Sequence, residues 1–334
     1  MRYHLSTDKR IRTLSDWPSV ILTYAVCLLC WIACYSTGLS MTEYSAVLPL
    51  WGILCDLFNN KIITYLFGLS FVILIAFVIQ RISDREVLIR ERTRLPFMLF
   101  ILLISTNPEL LPVKEITIAL LCLVFMMHEL FGSYQSPEAT GKMFNAGVLI
   151  GTAGLFVPQI LWVVPLLWIG MYQFRSLSLR SFAASLAGVL IIYWFVLAWC
   201  VWKHDFSMFS SLYTSVAKFN IIPMSALFQY HCVGFAGVVI LLIMAFLNIK
   251  TNALSNSVRV RMMLSFLLNM SAWSLALIFL YGDDMNSFYA LLCLPVSILA
   301  AYLFKNIRYS FSFILYYSML VLWSVSFLIR VWNF

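Results

Sequence analysis

Charge is what this sequence has least of. Asp, Glu, Lys and Arg make up 11% of its 334 residues, where soluble globular proteins carry roughly 25%. No polar stretch is long enough for a sizeable soluble domain. A P-loop is absent, which counts against an ATP-driven machine within the chain. Gly-x-Ser-x-Gly and Ser/His/Asp arrangements are absent too. The eight cysteines form neither two Cys-x-x-Cys pairs nor a disulfide framework. Cys27, Cys30 and Cys34 share one face of the first helix, where they read as small residues that let helices approach closely. No His or acid accompanies them on that turn, so neither a metal nor a cofactor is expected. The first apolar run lacks a small-residue cleavage site. It reads as a retained signal anchor behind a basic cytoplasmic tail, residues 1–16.

Apolar residues fill the space that charge leaves. They are 63% of the chain, aromatic residues are 16%, and the mean hydropathy is +0.93. Lipid is therefore the expected solvent for most of the surface. The net charge of +8 would fit nucleic acid if the arginines were gathered in one patch. They lie instead in short clusters between apolar segments, where basic residues set topology and meet anionic headgroups. Membrane lipids, and no nucleic acid, are the expected partners. The strongest cluster is Arg81, Arg85, Arg90, Arg92 and Arg94. With the N-terminus inside, most of the 22 basic residues fall on the cytoplasmic side.

The predicted fold is an all-α polytopic membrane bundle of about eleven helices, several of them short or Pro-broken, forming a single transmembrane domain over 1–334. Segments are expected near 17–37, 61–80, 95–106, 114–131, 182–202, 231–249, 262–281, 286–304 and 309–330, with two more inside 146–174. The chain is organised around 143–180. Its apolar part is too long for one span of ~20 residues and short for two. It reads as a hairpin of short helices turning near Pro158. Asn107-Pro108-Glu109 to Pro112 interrupts a second apolar region just upstream. Broken segments at membrane depth are tolerated only where protein or a cavity covers the freed backbone. The short-helix core at 95–175 is thus the expected region of function.

Acids are the first candidates for chemistry. Glu43, Asp56, Glu109, Glu115, Asp205, Asp283 and Asp284 all fall on the outer side. Taken singly, each also reads as a solvated loop carboxylate. Glu43 precedes an apolar stretch and Glu109 sits in a Pro-bounded break, so these two stand out. Asp283-Asp284 fits a cation site or, equally, a turn cap. His128 and Glu129 point about 100° apart on a helix and make no site by themselves. Arg175 and Arg180 fit a clamp for a phosphate or lipid headgroup, and fit the positive-inside pattern as well. Gly147, Gly151 and Gly154 read as a packing face.

Three features carry a resemblance: the Asn107-Pro108 break, NAGVLIGTAGLF followed by a proline, and RSLSLRSFAASLAG. Over 107–199 the chain resembles an uncharacterised family of bacterial multi-pass inner-membrane proteins. GVLIGTAGLFVPQILWVVPLL also looks like the repeated short helices of multi-pass lipid-linked-sugar glycosyltransferases. Those enzymes place a catalytic acid in the first outer loop, where Glu43 sits, with Asp56 second. Two parts of their pattern are not in this sequence: an acid pair in that loop and a large C-terminal outer domain. The likeness implies a polyprenyl-phosphate-sugar-dependent transferase of envelope biogenesis in a bacterial cytoplasmic (inner) membrane. Its outer acid would act as general base on an acceptor hydroxyl. The alternative is a non-enzymatic carrier or assembly component for lipid or envelope precursors.

Overall fold

The computed structural model describes residues 17–38, 51, 60–89, 93–136, 139–204, 206, 212, 214–220, 232–252, 256–307 and 309–332. Among these, helices are the regular structure and no strand occurs. The helices are α1 (Trp17–Thr37), α2 (Lys61–Arg85), α3 (Leu95–Ser105), α4 (Glu115–Phe131), α5 (Thr140–Phe156), α6 (Val163–Gln173), α7 (Leu179–Lys203), α8 (Cys232–Thr251), α9 (Val258–Leu280), α10 (Met285–Asn306) and α11 (Tyr309–Trp332). Short 3-10 turns lie at Pro108–Leu110, Pro158–Trp162 and Gly282–Asp284.

Seven of these helices are long and apolar enough to cross a membrane, not the expected eleven. The shortfall is one of length. α3 and α6 have 11 residues and α4 and α5 have 17. At 1.5 Å per residue these reach about 16 and 26 Å, against a hydrocarbon core of about 30 Å.

Proline sets the breaks. The residue before a proline is pushed out of the helical region. Asn107 accordingly has φ −108° and ψ 106°, and Val157 has φ −131° and ψ 96°. α3 and α5 end there, and each following proline opens a 3-10 turn, where its missing N–H costs nothing. Pro96 sits in the first turn of α3 for the same reason. Hydroxyls start other helices: Ser178 accepts from the Ser181 N–H at 3.1 Å, and Ser257 from that of Val260 at 3.4 Å.

The chain divides into two compact units. The first comprises Met1–Met41, Val72–Pro112 and Ile222–Phe334, and the second Thr42–Phe71 and Val113–Ile221. The Pro108 break belongs to the first and the Pro158 break to the second.

In the first unit α10 is the central helix. It packs on α3, α8, α9 and α11, and α1 packs on α3 and α11. Buried residues make up 94% of α10's apolar window, against 28–50% in the other six long helices. Polar contacts pin the ring around it. The Thr23 and Tyr316 hydroxyls bond to each other, Trp31 Nε1 donates to Ser105 Oγ at 3.1 Å, and Trp323 Nε1 donates to the Gly234 carbonyl at 3.4 Å. The end where α9 begins carries the buried Glu86, which is paired with Arg259.

In the second unit α5 packs on α4, α6 and α7. A Cβ at Gly147 would overlap the Ser185 carbonyl, and one at Gly188 would overlap that of Phe144. Backbone-to-backbone approach of this kind is what small residues permit in membranes. It is the packing face read from Gly147 and Gly151. Trp168 Nε1 donates to Ser185 Oγ at 3.2 Å on the same contact.

Candidate functional site

The polar group of the first unit is built at the Pro108 break. Asn107 caps the 3-10 turn, and its Oδ1 accepts the Glu109 N–H at 3.3 Å. That leaves its amide nitrogen free to turn outward, where Nδ2 donates to Asn286 Oδ1 at 3.1 Å. Asn286, the second residue of α10, in turn donates from Nδ2 to Glu109 Oε2. The three residues therefore close a one-way ring, from the Glu109 backbone through two amides to the Glu109 carboxylate. Each amide has only one orientation that satisfies it. Cys34 on α1 backs the turn, its Sγ donating to the Pro108 carbonyl at 3.6 Å.

Arg330 completes the group from the last turn of α11. The turn Pro108–Leu110 packs against both α10 and α11. The Glu109 carboxylate lies near enough to act electrostatically on the Arg330 guanidinium. Yet the carboxylate and guanidinium are not within the 4.0 Å of an ion pair. Arg330 Nε is buried with no hydrogen-bond partner among the described residues. Glu109 Oε1 also has no described partner. The arrangement is an oriented carboxylate on a turn that packs against the helix carrying Arg330, with no ion pair between the two. Among the described residues, no His, Ser or Cys is hydrogen-bonded to the Glu109 carboxylate. No group of three metal-ligating side chains occurs among the described residues.

The other sequence candidates lie elsewhere. Glu43 and Asp56 fall outside the described residues. Arg175 and Arg180 belong to the second unit and are exposed. Arg175 sits just past the C-cap of α6 with φ 55°, in a Schellman turn closed by Ser176 N–H to Met171 O at 3.0 Å and Arg175 N–H to Tyr172 O at 3.2 Å. Arg180 is the second residue of α7. Neither makes an ion pair among the described residues. Asp284 ends the 3-10 turn before α10, with its N–H on the Tyr281 carbonyl at 3.2 Å.

Sequence reasoning gave no role to Asn286 or Arg330. Arg330 did carry a signal, since a lone ionisable residue inside an apolar helix marks a functional position by default. Asn286 carried none. It meets Glu109 only because α10 starts at the break, 177 residues along the chain.

No curated protein and no solved structure matches the chain. A family model does match, over residues 40–333, and its description assigns no activity. With that span covered, the chain belongs to DUF6427, a family of unknown function.

Proposed function

We propose that this is a multi-pass membrane protein that handles the polar end of a lipid-linked ligand at the Glu109 end of its first unit. The observation that carries the reading is the Asn107–Asn286–Glu109 ring. Fixing two amides around one carboxylate spends side-chain freedom on orientation, at one end of a bundle whose central helix is almost wholly apolar. Polar groups held this way in a membrane bundle mark ligand pathways and sites.

The finer form of the proposal is a polyprenyl-phosphate-sugar-dependent transferase of envelope biogenesis. Glu109 would serve as general base on an acceptor hydroxyl through its open Oε1. This form takes its substrate class from the sequence likeness alone. A second reading is a carrier or assembly component for such precursors, which needs the oriented carboxylate only to bind. Both readings take the membrane as the cytoplasmic one with the N-terminus inside. Support comes from charge segregation, with Arg85, Arg259 and Lys305 at the end of the first unit remote from Glu109.

The test is complementation of a deletion strain with Glu109→Gln, with membrane abundance measured alongside. The exchange keeps shape and removes charge and basicity. Loss of a general base would lower turnover ~10²–10⁴-fold, and loss of a binding carboxylate would also fail to complement. Full complementation at normal abundance would remove Glu109 from function and sink both forms. In vitro transfer from a radiolabelled polyprenyl-phosphate sugar separates them, because the carrier reading expects binding without transfer.

A further inference from the structure

We infer that Arg330 and Glu109 bracket a subsite for a phosphate ester that carries a hydrogen-bond donor beside the phosphate, a hydroxyl or a primary ammonium. The inference rests on the reading of this end of the first unit as a ligand site, and adds the chemical class of the group bound there.

Three observations carry it. Arg330 Nε is buried without an acceptor among the described residues, and a desolvated cationic donor left unpaired is costly. The Glu109 carboxylate sits on the turn that packs against α11 and makes no ion pair with it. The Glu109 carboxylate is held by Asn286, and its backbone by Asn107. The two groups offer complementary contacts. Arg330 lacks an acceptor, for which its planar fork matches a phosphate oxygen pair. Glu109 Oε1 lacks a donor, and a carboxylate can only accept. One group of the form phosphate–linker–OH or phosphate–linker–NH₃⁺ satisfies both. A bare phosphate satisfies one and sets its charge against the other.

The flanks favour a lipid as the source. Leu328, Ile329 and Trp332, on either side of Arg330, are exposed apolar side chains. Acyl or prenyl chains can lie along them, and a tryptophan at a helix end suits the headgroup level. A soluble phosphate ester offers the same headgroup chemistry without a use for that apolar flank.

The experiment uses the full chain purified in detergent, examined by native mass spectrometry with chain-matched phosphatidylethanolamine, phosphatidylglycerol and phosphatidylcholine. The first two carry the donor and the third does not. The expected result is retention of the first two about ten-fold or more above the third, as for one charge-assisted hydrogen bond. Arg330→Gln should weaken both donor-bearing lipids ~10–100-fold. Glu109→Gln should erase the preference over phosphatidylcholine. Melting in lipid-free detergent keeps folding apart from binding. Arg330→Gln should melt no lower than the parent, since it removes a buried Nε–H that has no acceptor among the described residues, but should lose the rise that phosphatidylethanolamine gives. A lower lipid-free melting point together with unaltered lipid retention would assign Arg330 a structural role and overturn the subsite. So would equal retention of all three lipids by the parent. Soluble phosphoethanolamine is the arm for the other source. If it protects as well as the lipid does, the subsite stands and its ligand is a soluble ester. The two readings fail separately: unselective binding with an inactive Glu109→Gln removes only the subsite, and selective binding with full complementation by Glu109→Gln removes only the functional reading.

Discussion

At the residue scale, Asn286 is the hinge of the polar group. It donates to Glu109 and accepts from Asn107, so replacing it strands two partners at once. Asn286→Ala should lower stability by about 1–3 kcal/mol, the cost of unsatisfied partly buried polar groups. Thermal melting in detergent reads this out. A melting point equal to the parent's would mean that the ring contributes no stability. A second residue stores strain at the opposite end of the first unit. Val87 has φ 50° just after α2, with the Leu88 N–H closing back on the Ser83 carbonyl at 3.1 Å. This is the position where glycine is preferred, and a β-branched residue is an outlier there. Relief of the left-handed strain, about 1–2 kcal/mol, outweighs the chain-entropy cost of glycine, about 0.5–1 kcal/mol. Val87→Gly should therefore melt slightly higher than the parent, and a lower melting point would contradict this balance.

At the scale of elements, the α5–α7 pair is held by close backbone approach rather than by apolar transfer, since lipid offers the same apolar surroundings. Gly147→Ala and Gly188→Ala each place a methyl against a backbone carbonyl, which cannot rotate away. Each should cost about 1–3 kcal/mol through overpacking. Gly141, in the first turn of the same helix α5, has nothing within 4 Å of the added carbon. Gly141→Ala should be neutral, or stabilising by up to about 1 kcal/mol from helix propensity. Comparing the three melting points isolates the contact from propensity. Equal effects at Gly141 and Gly147 would show that the α5–α7 approach does not matter for stability.

At the scale of the whole molecule, the ends of the first unit separate by charge. The C-terminal ends of α1, α3 and α11 meet the N-terminal end of α10 around the Pro108 turn. Antiparallel packing of α8 on α11, where Gly234 faces Ser326 and Gly237 faces Leu322, sends Thr251 to the other end with Arg259. In a protein cleared of native cysteines, Thr251→Cys should stay shielded from an impermeant thiol reagent in intact cells. Trp332→Cys should be labelled once the envelope is permeable to the reagent. The opposite pattern would invert the proposed orientation.

The sequence by itself determined the apolar character of the helices, the helical content and most helix boundaries. Those properties are local: an apolar run long enough to hide its backbone must be helical in lipid, and the Asn107-Pro108 and Val157-Pro158 dipeptides forbid its continuation. The number of full spans was not local in the same way, because apolar segments of 11 to 17 residues look like spans until a partner helix covers them. Glu109 was legible as an acid in a broken segment. Its surroundings were not. When nearly every helix position is apolar, no stripe tells which face meets which neighbour, and the choice falls to steric fit among helices far apart in sequence. Tertiary structure alone decided that α10 is the central helix of the first unit, that Asn286 meets Glu109 across 177 residues, and that the turn carrying Glu109 packs against the helix carrying Arg330.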